Sequence, residues 1–253
     1  RLLLSDRGES ARGNLTPQQA FQGILDQHFD GVGIGEEVWY SKWESWVRLS
    51  HTYRDRDVFL AGDSAHVHST TGGQGMNCCL QDAWNLGWKL ALVLQGRADE
   101  RLLDTYETER KPIAAQVIWA ASALHEIFMG HGKSIAERTT RISDPGFLEA
   151  VVGRCSGISY TYRDQMEQGG DADLAGGPLS GDRAPDAELG DGRTLFAATR
   201  STGYTLLGIP GTAGDPARLA ATLAALQGRF TPLIASHSLP AGAELASRYG
   251  SGS

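Results

Sequence analysis

The hydrophobic and polar positions along the chain predict a mixture of helices and short strands. Residues 16–29 (TPQQAFQGILDQHF) place apolar side chains at helical spacing, and Thr16 and Pro17 are residue types that begin helices. Residues 36–50 (EEVWYSKWESWVRLS) alternate between two faces, which is typical of a strand. The apolar run at residues 58–61 (VFLA) is short and predicts a buried strand.

Two long helices are predicted in the middle of the chain. Residues 99–128 form one helical stretch, which Pro112 is expected to kink or break. The other helix precedes residue 99. Its apolar or small residues recur at helical spacing, and Gly96 suits the left-handed conformation found just beyond a helix end. We expect that stripe to face inward, with Gly87 allowing close approach of another backbone. Its members are Met76, Leu80, Ala83, Gly87, Leu90 or Ala91, and Leu94.

The last third of the chain predicts a small α/β unit. Residues 169–181 are rich in glycine and are interpreted as a linker. Strands are predicted at residues 194–198, 204–209 and 231–236, with a capped helix at residues 215–230. Strand, helix and strand within about forty residues are typical of an α/β fold.

Composition narrows the possible partners. Of 253 residues 41% are hydrophobic, and 23 basic against 30 acidic residues give a net charge of −7. An acidic chain without a basic stripe argues against nucleic acid and against an anionic membrane surface, and no continuous apolar run predicts a membrane span. The three cysteines, Cys78, Cys79 and Cys155, show no disulfide framework, which favours a reducing, cytoplasmic compartment. The chain begins with Arg rather than Met, and we expect it to be part of something longer.

The stretch from Gly62 onward carries the chemistry. A strand ends at Gly62-Asp63, three glycines follow at positions 72, 73 and 75, and a helix begins there. Backbone N–H groups at a helix start attract negative charge or an electron-rich oxygen, and glycines let a flat ligand touch the backbone. An ionised Asp63 accepts hydrogen bonds from hydroxyls. The arrangement therefore suits a ligand with both a polyol and an electron-accepting edge.

The same stretch resembles other binding motifs only in part. A phosphate-binding P-loop requires Lys and then Ser or Thr after its last glycine, whereas Met76 and Asn77 follow Gly75, and G-x-G-x-x-G is absent here. His66 and His68 form an H-x-H pair, but no further set of ligands has zinc spacing, so no metal site is predicted. A glycine turn that only packs a helix on a strand remains open.

A specific resemblance extends over residues 39–117. The 29 contiguous residues GDSAHVHSTTGGQGMNCCLQDAWNLGWKL, with YRDRDVFLAGD before them and LLDTYETERKPIA after them, resemble the second FAD motif of group A flavoprotein aromatic hydroxylases. These have the p-hydroxybenzoate hydroxylase-like fold, and the phenol and polyketide hydroxylase subgroup is the most similar. The resemblance implies that Asp63 hydrogen-bonds the ribityl chain of FAD. It also implies that the glycine loop and the helix start face the isoalloxazine, through Thr70, Gly72, Gly73, Gly75, Met76 and Asn77.

The chain departs from the family pattern at two places. Thr70 stands where family members usually have Pro, and Cys78-Cys79 stands where they usually have Thr-Gly. The first difference affects the loop that frames the reactive edge of the flavin. The second is interpreted as packing, with a reactive thiol at the helix start as an alternative.

The resemblance also implies a reaction and a domain scheme. FAD would be reduced by NAD(P)H and would react with O₂ to a C4a-hydroperoxyflavin, which hydroxylates a small aromatic substrate, phenolic or polyketide. No catalytic acid–base pair is predicted. Residues 1–52 would belong to the substrate domain, 53–168 to the FAD domain with a helical extension, and 182–253 to a truncated thioredoxin-like α/β domain. That last domain has no Cys, so its role would be structural or in subunit contacts, and a homodimer is possible in this family.

Four residues before the motif are predicted to line the substrate pocket: Tyr40, Trp43, Trp46 and Arg48. Alternation alone would also explain these aromatics as sheet core. The N-terminal G-x-G-x-x-G unit and the middle Asp-Gly motif of the family do not occur in the chain. Two alternatives therefore stay open: a non-catalytic fragment acting as an interaction module, and a related flavoenzyme with another oxygenation such as Baeyer–Villiger insertion.

Overall fold

The structure is a computed structural model with mixed helix and sheet. It describes residues 15–41, 46–130, 133–165, 176–201, 203–209, 215–230, 234–239 and 243–250. The chain divides into two compact units, Arg1–Ser45 and Trp46–Ser253.

The first unit contains helix α1, Pro17–His28. Thr16 caps it: the Thr16 hydroxyl accepts from the Gln19 amide at 3.3 Å, and the Gln19 side chain accepts from the Thr16 amide at 2.8 Å. This reciprocal pair satisfies two N–H groups that the helix itself leaves without partners. The prediction of a helix that starts after Thr16 is confirmed.

The strand predicted at residues 36–50 is mostly wrong. Among the described residues of that stretch, only Arg48–Leu49 (β1) has a partner strand. Val38 and Trp39 are 97% and 76% exposed in an extended segment without ladder bonds. Alternation describes a surface suited to a sheet, but a strand requires a neighbour for its backbone groups.

The second unit opens with two short antiparallel pairs. Strand β1 pairs with β4, His66–Val67, and places Arg48 opposite Val67. Strand β2, Arg54–Asp55, pairs with β3, Val58–Phe59, through a tight turn. The strand predicted at 58–61 is thus confirmed for its first two residues. It is only half buried, because Val58 points outward while Phe59 packs on the core.

Helix α2, Gly75–Leu94, is present as predicted, and Gly96 has the left-handed φ of +68° expected beyond its end. Its predicted orientation is wrong. Met76, Leu80 and Leu94 are exposed, and Gly87 has no neighbour within 4 Å of an added Cβ. The buried face is largely polar instead, and its members are Cys78, Asp82, Asn85, Leu86 and Lys89.

A 3₁₀ turn, Glu100–Leu103, leads into helix α3, Asp104–Met129. The helix continues through Pro112, so of the two predicted effects the break is wrong and the kink stays a prediction. Ile113, Ala114 and Val117 are buried directly after it, and this packing offsets the lost backbone bond. The segment Glu100–Met129 contains a stretch that is long and apolar enough to cross a membrane by length and composition, a character that the core helices of other proteins share.

Two helices follow α3: α4, Ile135–Ile142, and α5, Pro145–Ser156. The larger of two hydrophobic clusters among the described residues of the unit lies where α2 and α3 meet the β1–β4 and β2–β3 pairs. Its buried members are Tyr53, Ala65, Cys78, Leu86, Tyr106, Ile113, Ala114 and Val117.

The C-terminal part contains α6 (Leu195–Ala198), β5 (Tyr204–Gly208), α7 (Pro216–Phe230), β6 (Ile234–Ser238) and α8 (Ala243–Tyr249). Strands β5 and β6 are parallel, with α7 between them in sequence, which confirms the predicted α/β unit. The strand predicted at 194–198 is wrong. That segment is a short helix, which begins because the Thr194 hydroxyl accepts from the Ala197 amide at 3.3 Å.

Candidate cofactor site

The Gly62-Asp63 pair lies in a 3₁₀ turn, Gly62–Ser64, between β3 and β4. Gly62 has a φ of +59°, and an added Cβ would lie 3.0 Å from Cys79 Sγ of α2. Asp63 is exposed, and the Cys79 thiol donates to its Oδ1 at 3.5 Å. Burial, together with the Asp63 carboxylate, raises the pKa of Cys79 to about 11, so the thiol stays protonated and acts as a donor at neutral pH.

Asp82 of α2 accepts a hydrogen bond from the backbone of this turn on its buried side. Its Oδ2 accepts from the Gly62 amide at 3.2 Å and lies 2.7 Å from His66 Nε2. Its Oδ1 accepts from Arg110 Nε of α3 at 2.8 Å. One fully buried carboxylate therefore joins α2, α3, β4 and the backbone that presents Asp63.

In this buried network the negative charge of Asp82 and the positive charges of His66 and Arg110 stabilise each other. Burial alone would raise the pKa of Asp82, but the hydrogen bonds from His66 and Arg110 outweigh it and hold that pKa below its usual range. Burial alone would lower the pKa of His66, but the hydrogen bonds and charges of Asp82 and Cys78 raise it to about 9. At neutral pH the network contains one carboxylate, one imidazolium and one guanidinium.

The glycine loop follows β4. The Thr70 carbonyl accepts from the Gly73 amide at 3.1 Å, and Gly72 and Gly73 have φ values of +94° and +66°. These left-handed conformations are costly for residues with a Cβ. Thr70, Gly72 and Gly73 are exposed, so their outer backbone surface is open to a ligand.

Helix α2 starts at Gly75 without a capping side chain and without an acidic residue in its first turn. The amides of Gly75, Met76 and Asn77 precede the first intrahelical bond, from the Cys78 amide to the Gln74 carbonyl at 2.9 Å. Met76 and Asn77 are exposed. This helix start therefore has free donors and a positive dipole end for an electron-rich group.

The predicted substrate residues are only partly brought together. The guanidinium of Arg48 lies 4.7 Å above the Trp46 ring, and both side chains are exposed. They lie beside β4, which leads into the glycine loop. Tyr40 is exposed in the first unit, and Trp43 lies outside the described residues.

Other places in the described chain are less suited to a cofactor. His66, Cys78 and Asp82 bring three ligand-type atoms within 4.8 Å of one another, but Arg110 already contacts the carboxylate and lies 3.8 Å from Cys78 Sγ. A metal cation there would face a fixed positive charge. Two open clefts, of about 500 and 800 Å³, lie around Asp99 and Arg101, away from the glycine loop.

The chain resembles known flavin-binding proteins. Residues 3–121 match the FAD binding domain family FAD_binding_3. Over 218 residues the chain is 47% identical to pentachlorophenol 4-monooxygenase of Sphingobium chlorophenolicum, covering 86% of this chain and 40% of that protein. Over 107 residues it is 50% identical to anhydrotetracycline monooxygenase of Streptomyces rimosus, covering 42% of this chain and 21% of that protein.

Part of the chain thus matches an FAD binding domain, and relatives that it resembles are named as aromatic monooxygenases and hydroxylases. Solved structures agree: the aromatic hydroxylase CabE from angucycline biosynthesis gives a TM-score of 0.65 at 31% identity, covering 88% of this chain and 44% of that one. The anhydrotetracycline hydroxylase OxyS from Streptomyces rimosus gives a TM-score of 0.61 at 30% identity, covering 78% and 38%. The chain thus spans about two fifths of the length of pentachlorophenol 4-monooxygenase, CabE and OxyS.

The described residues around Asp63 and the start of α2 fit FAD. An exposed carboxylate at Asp63 suits a polyol, and the uncapped start of α2 suits the edge of the ring where a reduced flavin carries negative charge. Cys79 links the two features, because it contacts Asp63 and lies one turn beyond the first residues of α2. The assignment of Asp63, Thr70, Gly72, Gly73, Gly75, Met76 and Asn77 to FAD remains a prediction.

The sequence interpretation missed the residues that support this site. Asp82, His66 and Arg110 were not assigned a role. The available signal in the sequence was Asp82, a charged residue within a helix that was expected to be amphipathic. From its position in α2, Asp82 reaches the strand–turn segment. Apolar periodicity cannot detect a buried face that is stabilised by charge pairing.

The raised pKa of His66 leads to a pH prediction. A pKa of about 9 in the folded protein lies above the ordinary 6.5, so the stabilisation is complete below pH 6.5 and is lost as the pH rises through 9. We expect the free energy of unfolding to fall by about 2–3 kcal/mol from this source between pH 6.5 and pH 9.5. Urea unfolding at both pH values measures it.

The matched variants are His66→Gln and, as a control, His51→Gln at an exposed histidine. His66→Gln should flatten the pH dependence over this interval, whereas His51→Gln should retain it. An unchanged slope in His66→Gln would show that another group causes the loss of stability.

Proposed function

We propose that the chain supplies the flavin-facing loop and part of the substrate-binding region of an enzyme. That enzyme hydroxylates a small aromatic compound, phenolic or polyketide. FAD is its cofactor, and NAD(P)H and O₂ are its co-substrates. The observation that carries the proposal is the combination of Asp63 with the uncapped start of α2. Its relatives are named for acting on pentachlorophenol and anhydrotetracycline, which supports an aromatic substrate.

In this proposal FAD supplies the redox chemistry, and the chain binds and orients it. Asp63 accepts from ribityl hydroxyls, and the amides of Gly75, Met76 and Asn77 stabilise negative charge on the reduced ring. An effect of about 1–2 kcal/mol is typical of a partly buried helix end. Trp46 and Arg48, with Tyr40 and Trp43, are proposed to contact the substrate, where the stacked Arg48 guanidinium suits a phenolate.

The domain scheme is also proposed. Residues 1–52 are assigned to the substrate domain, 53–168 to the FAD domain, 169–181 to a linker and 182–253 to a thioredoxin-like domain. The parallel β5–α7–β6 unit supports the last assignment. Three free cysteines are consistent with a reducing, cytoplasmic compartment, and a homodimer is the proposed assembly.

A chimera tests the proposed function. The region of pentachlorophenol 4-monooxygenase that aligns with this chain would be replaced by the chain, with the parent enzyme as reference. We expect a yellow protein with a flavin absorbance spectrum and NADPH oxidation that increases when a phenol is added. Oxygen from labelled O₂ should appear in a hydroxylated product.

The outcome that contradicts the proposal is a chimera with parent-like circular dichroism that retains no FAD. Insertion of oxygen next to a carbonyl in place of ring hydroxylation would indicate Baeyer–Villiger chemistry. The 253-residue chain itself, titrated with FAD, addresses the non-catalytic alternative: weak but Asp63-dependent binding supports a flavin role, and none supports an interaction module.

A further inference from the structure

Three side chains meet on the inner side of the glycine loop, away from the surface proposed for the flavin. The Ser69 hydroxyl lies 3.0 Å from His125 Nδ1 of α3, and the Thr71 hydroxyl lies 3.2 Å from the same nitrogen. Ser69 Oγ also lies 3.0 Å from Thr71 Oγ1 and accepts from the Thr71 amide at 3.2 Å. We name Ser69, Thr71 and His125 the loop anchor.

The loop anchor has packing support from the same helix. An added Cβ at Gly72 would lie 3.2 Å from Leu124 Cδ1, and Cys155 Sγ of α5 lies 4.0 Å from that point. Helix α3 therefore contacts the inner side of the loop through Leu124 and His125 together. The outer side at Thr70, Gly72 and Gly73 is exposed, so the loop has one fixed face and one open face.

The loop anchor is satisfied whether or not Nδ1 of His125 carries a hydrogen. When Nδ1 is an acceptor, the Thr71 hydroxyl donates to it and the Ser69 hydroxyl donates to Thr71. When Nδ1 carries hydrogen, it donates to the hydroxyl oxygens. Ser69 is buried, so the loss of its partners would leave a polar group without hydrogen bonds in a place that water reaches poorly.

We propose that His125 is a positioning residue for the flavin-facing backbone. It acts through Ser69 and Thr71 and fixes the left-handed segment Gly72-Gly73, whose backbone two consecutive glycines would otherwise leave mobile. This inference deepens the proposed function and rests on it for its role toward FAD. The anchoring itself is a property of the chain and does not require a cofactor.

Hydrogen–deuterium exchange of the 253-residue chain tests the anchoring directly. In His125→Leu we expect amides of residues 69–75 to exchange roughly 3- to 10-fold faster, the effect of losing one or two net hydrogen bonds. Amides of the β2–β3 hairpin should not change. His125→Asn places an amide where Nδ1 lies and should restore much of the protection, and His51→Leu is the control for loss of an imidazole elsewhere.

A second variant distinguishes the loss of the loop anchor from a general folding defect. Ser69→Ala/Thr71→Val removes both hydroxyls and should reproduce the local acceleration, and adding His125→Leu to it should have little further effect. The proposal is overturned if His125→Leu leaves residues 69–75 protected, if it accelerates exchange equally throughout the chain, or if the triple variant is fully additive.

The role toward FAD has a separate measurement. In the chimera, His125→Leu should raise the Kd for FAD several-fold, and His125→Asn should return it toward the starting value. A chimera that never binds FAD contradicts the proposed function while the exchange result stands by itself. A chimera that binds FAD equally well with His125→Leu, despite a loosened loop, overturns the positioning role.

Discussion

Replacement of Asp82 by asparagine is expected to lower the free energy of unfolding by about 3–5 kcal/mol, since it leaves Arg110 as an uncompensated buried charge. Arg110 is 2% exposed, and Asp82 is fully buried. The asparagine amide also places a donor against His66 and the Gly62 amide, both of which donate to the native carboxylate. Urea unfolding monitored by circular dichroism measures the change.

Two further variants make this experiment specific. Glu126→Gln removes an ion pair with Lys133 at 3.2 Å between exposed side chains, and we expect it to cost less than about 1 kcal/mol. Asp82→Asn/Arg110→Met removes the carboxylate and the guanidinium together and should recover part of the loss. A cost for Asp82→Asn as small as that for Glu126→Gln would contradict the importance of the network.

Replacement of Asp63 by alanine is expected to weaken FAD binding in the chimera roughly 10- to 100-fold, because a charged acceptor for ribityl hydroxyls is lost. Stability should change by less than about 0.5 kcal/mol, because Asp63 is exposed and, among the described residues, its side chain accepts one weak hydrogen bond, from the Cys79 thiol. Fluorescence quenching of added FAD measures the Kd, and circular dichroism measures the stability.

The matched control is Asp57→Ala, an exposed aspartate in the β2–β3 turn. It changes the net charge by the same amount, so a general electrostatic effect on the negatively charged cofactor would appear in both variants. Unchanged FAD retention in Asp63→Ala would remove the main support for the cofactor assignment. An equal change in both variants would point to net charge instead.

Local signals were sufficient for several elements. Thr16 predicts the start of α1 because a capping box depends on residues three apart. Gly96 predicts the end of α2 because the left-handed φ of a residue beyond a helix end is also determined locally. The α7 helix and the parallel strands β5 and β6 also follow from short-range patterns and spacing.

Elements that depend on distant partners were less predictable. Residues 36–50 alternate as a strand does, but among the described part of that stretch only Arg48–Leu49 is paired, because a strand forms only where another strand lies beside it. Residues 194–198 are β-prone in composition, yet the Thr194 cap and burial of Leu195 favour a helical turn. The support of the candidate site was unpredictable too, because Arg110 and His125 reach it from α3.

The polar buried face of α2 also bears on how the chain finds a single native arrangement. A rotation of α2 about its axis would turn Met76, Leu80 and Leu94 inward, and hydrophobicity alone would favour that competing state. It would separate Lys89 from Glu109, now 2.7 Å apart, and leave Glu109 and Arg110 of α3 without their α2 partners. The ion pairs thus favour one rotation of α2, because breaking them raises the energy of a misrotated helix more than forming them stabilises the correct one.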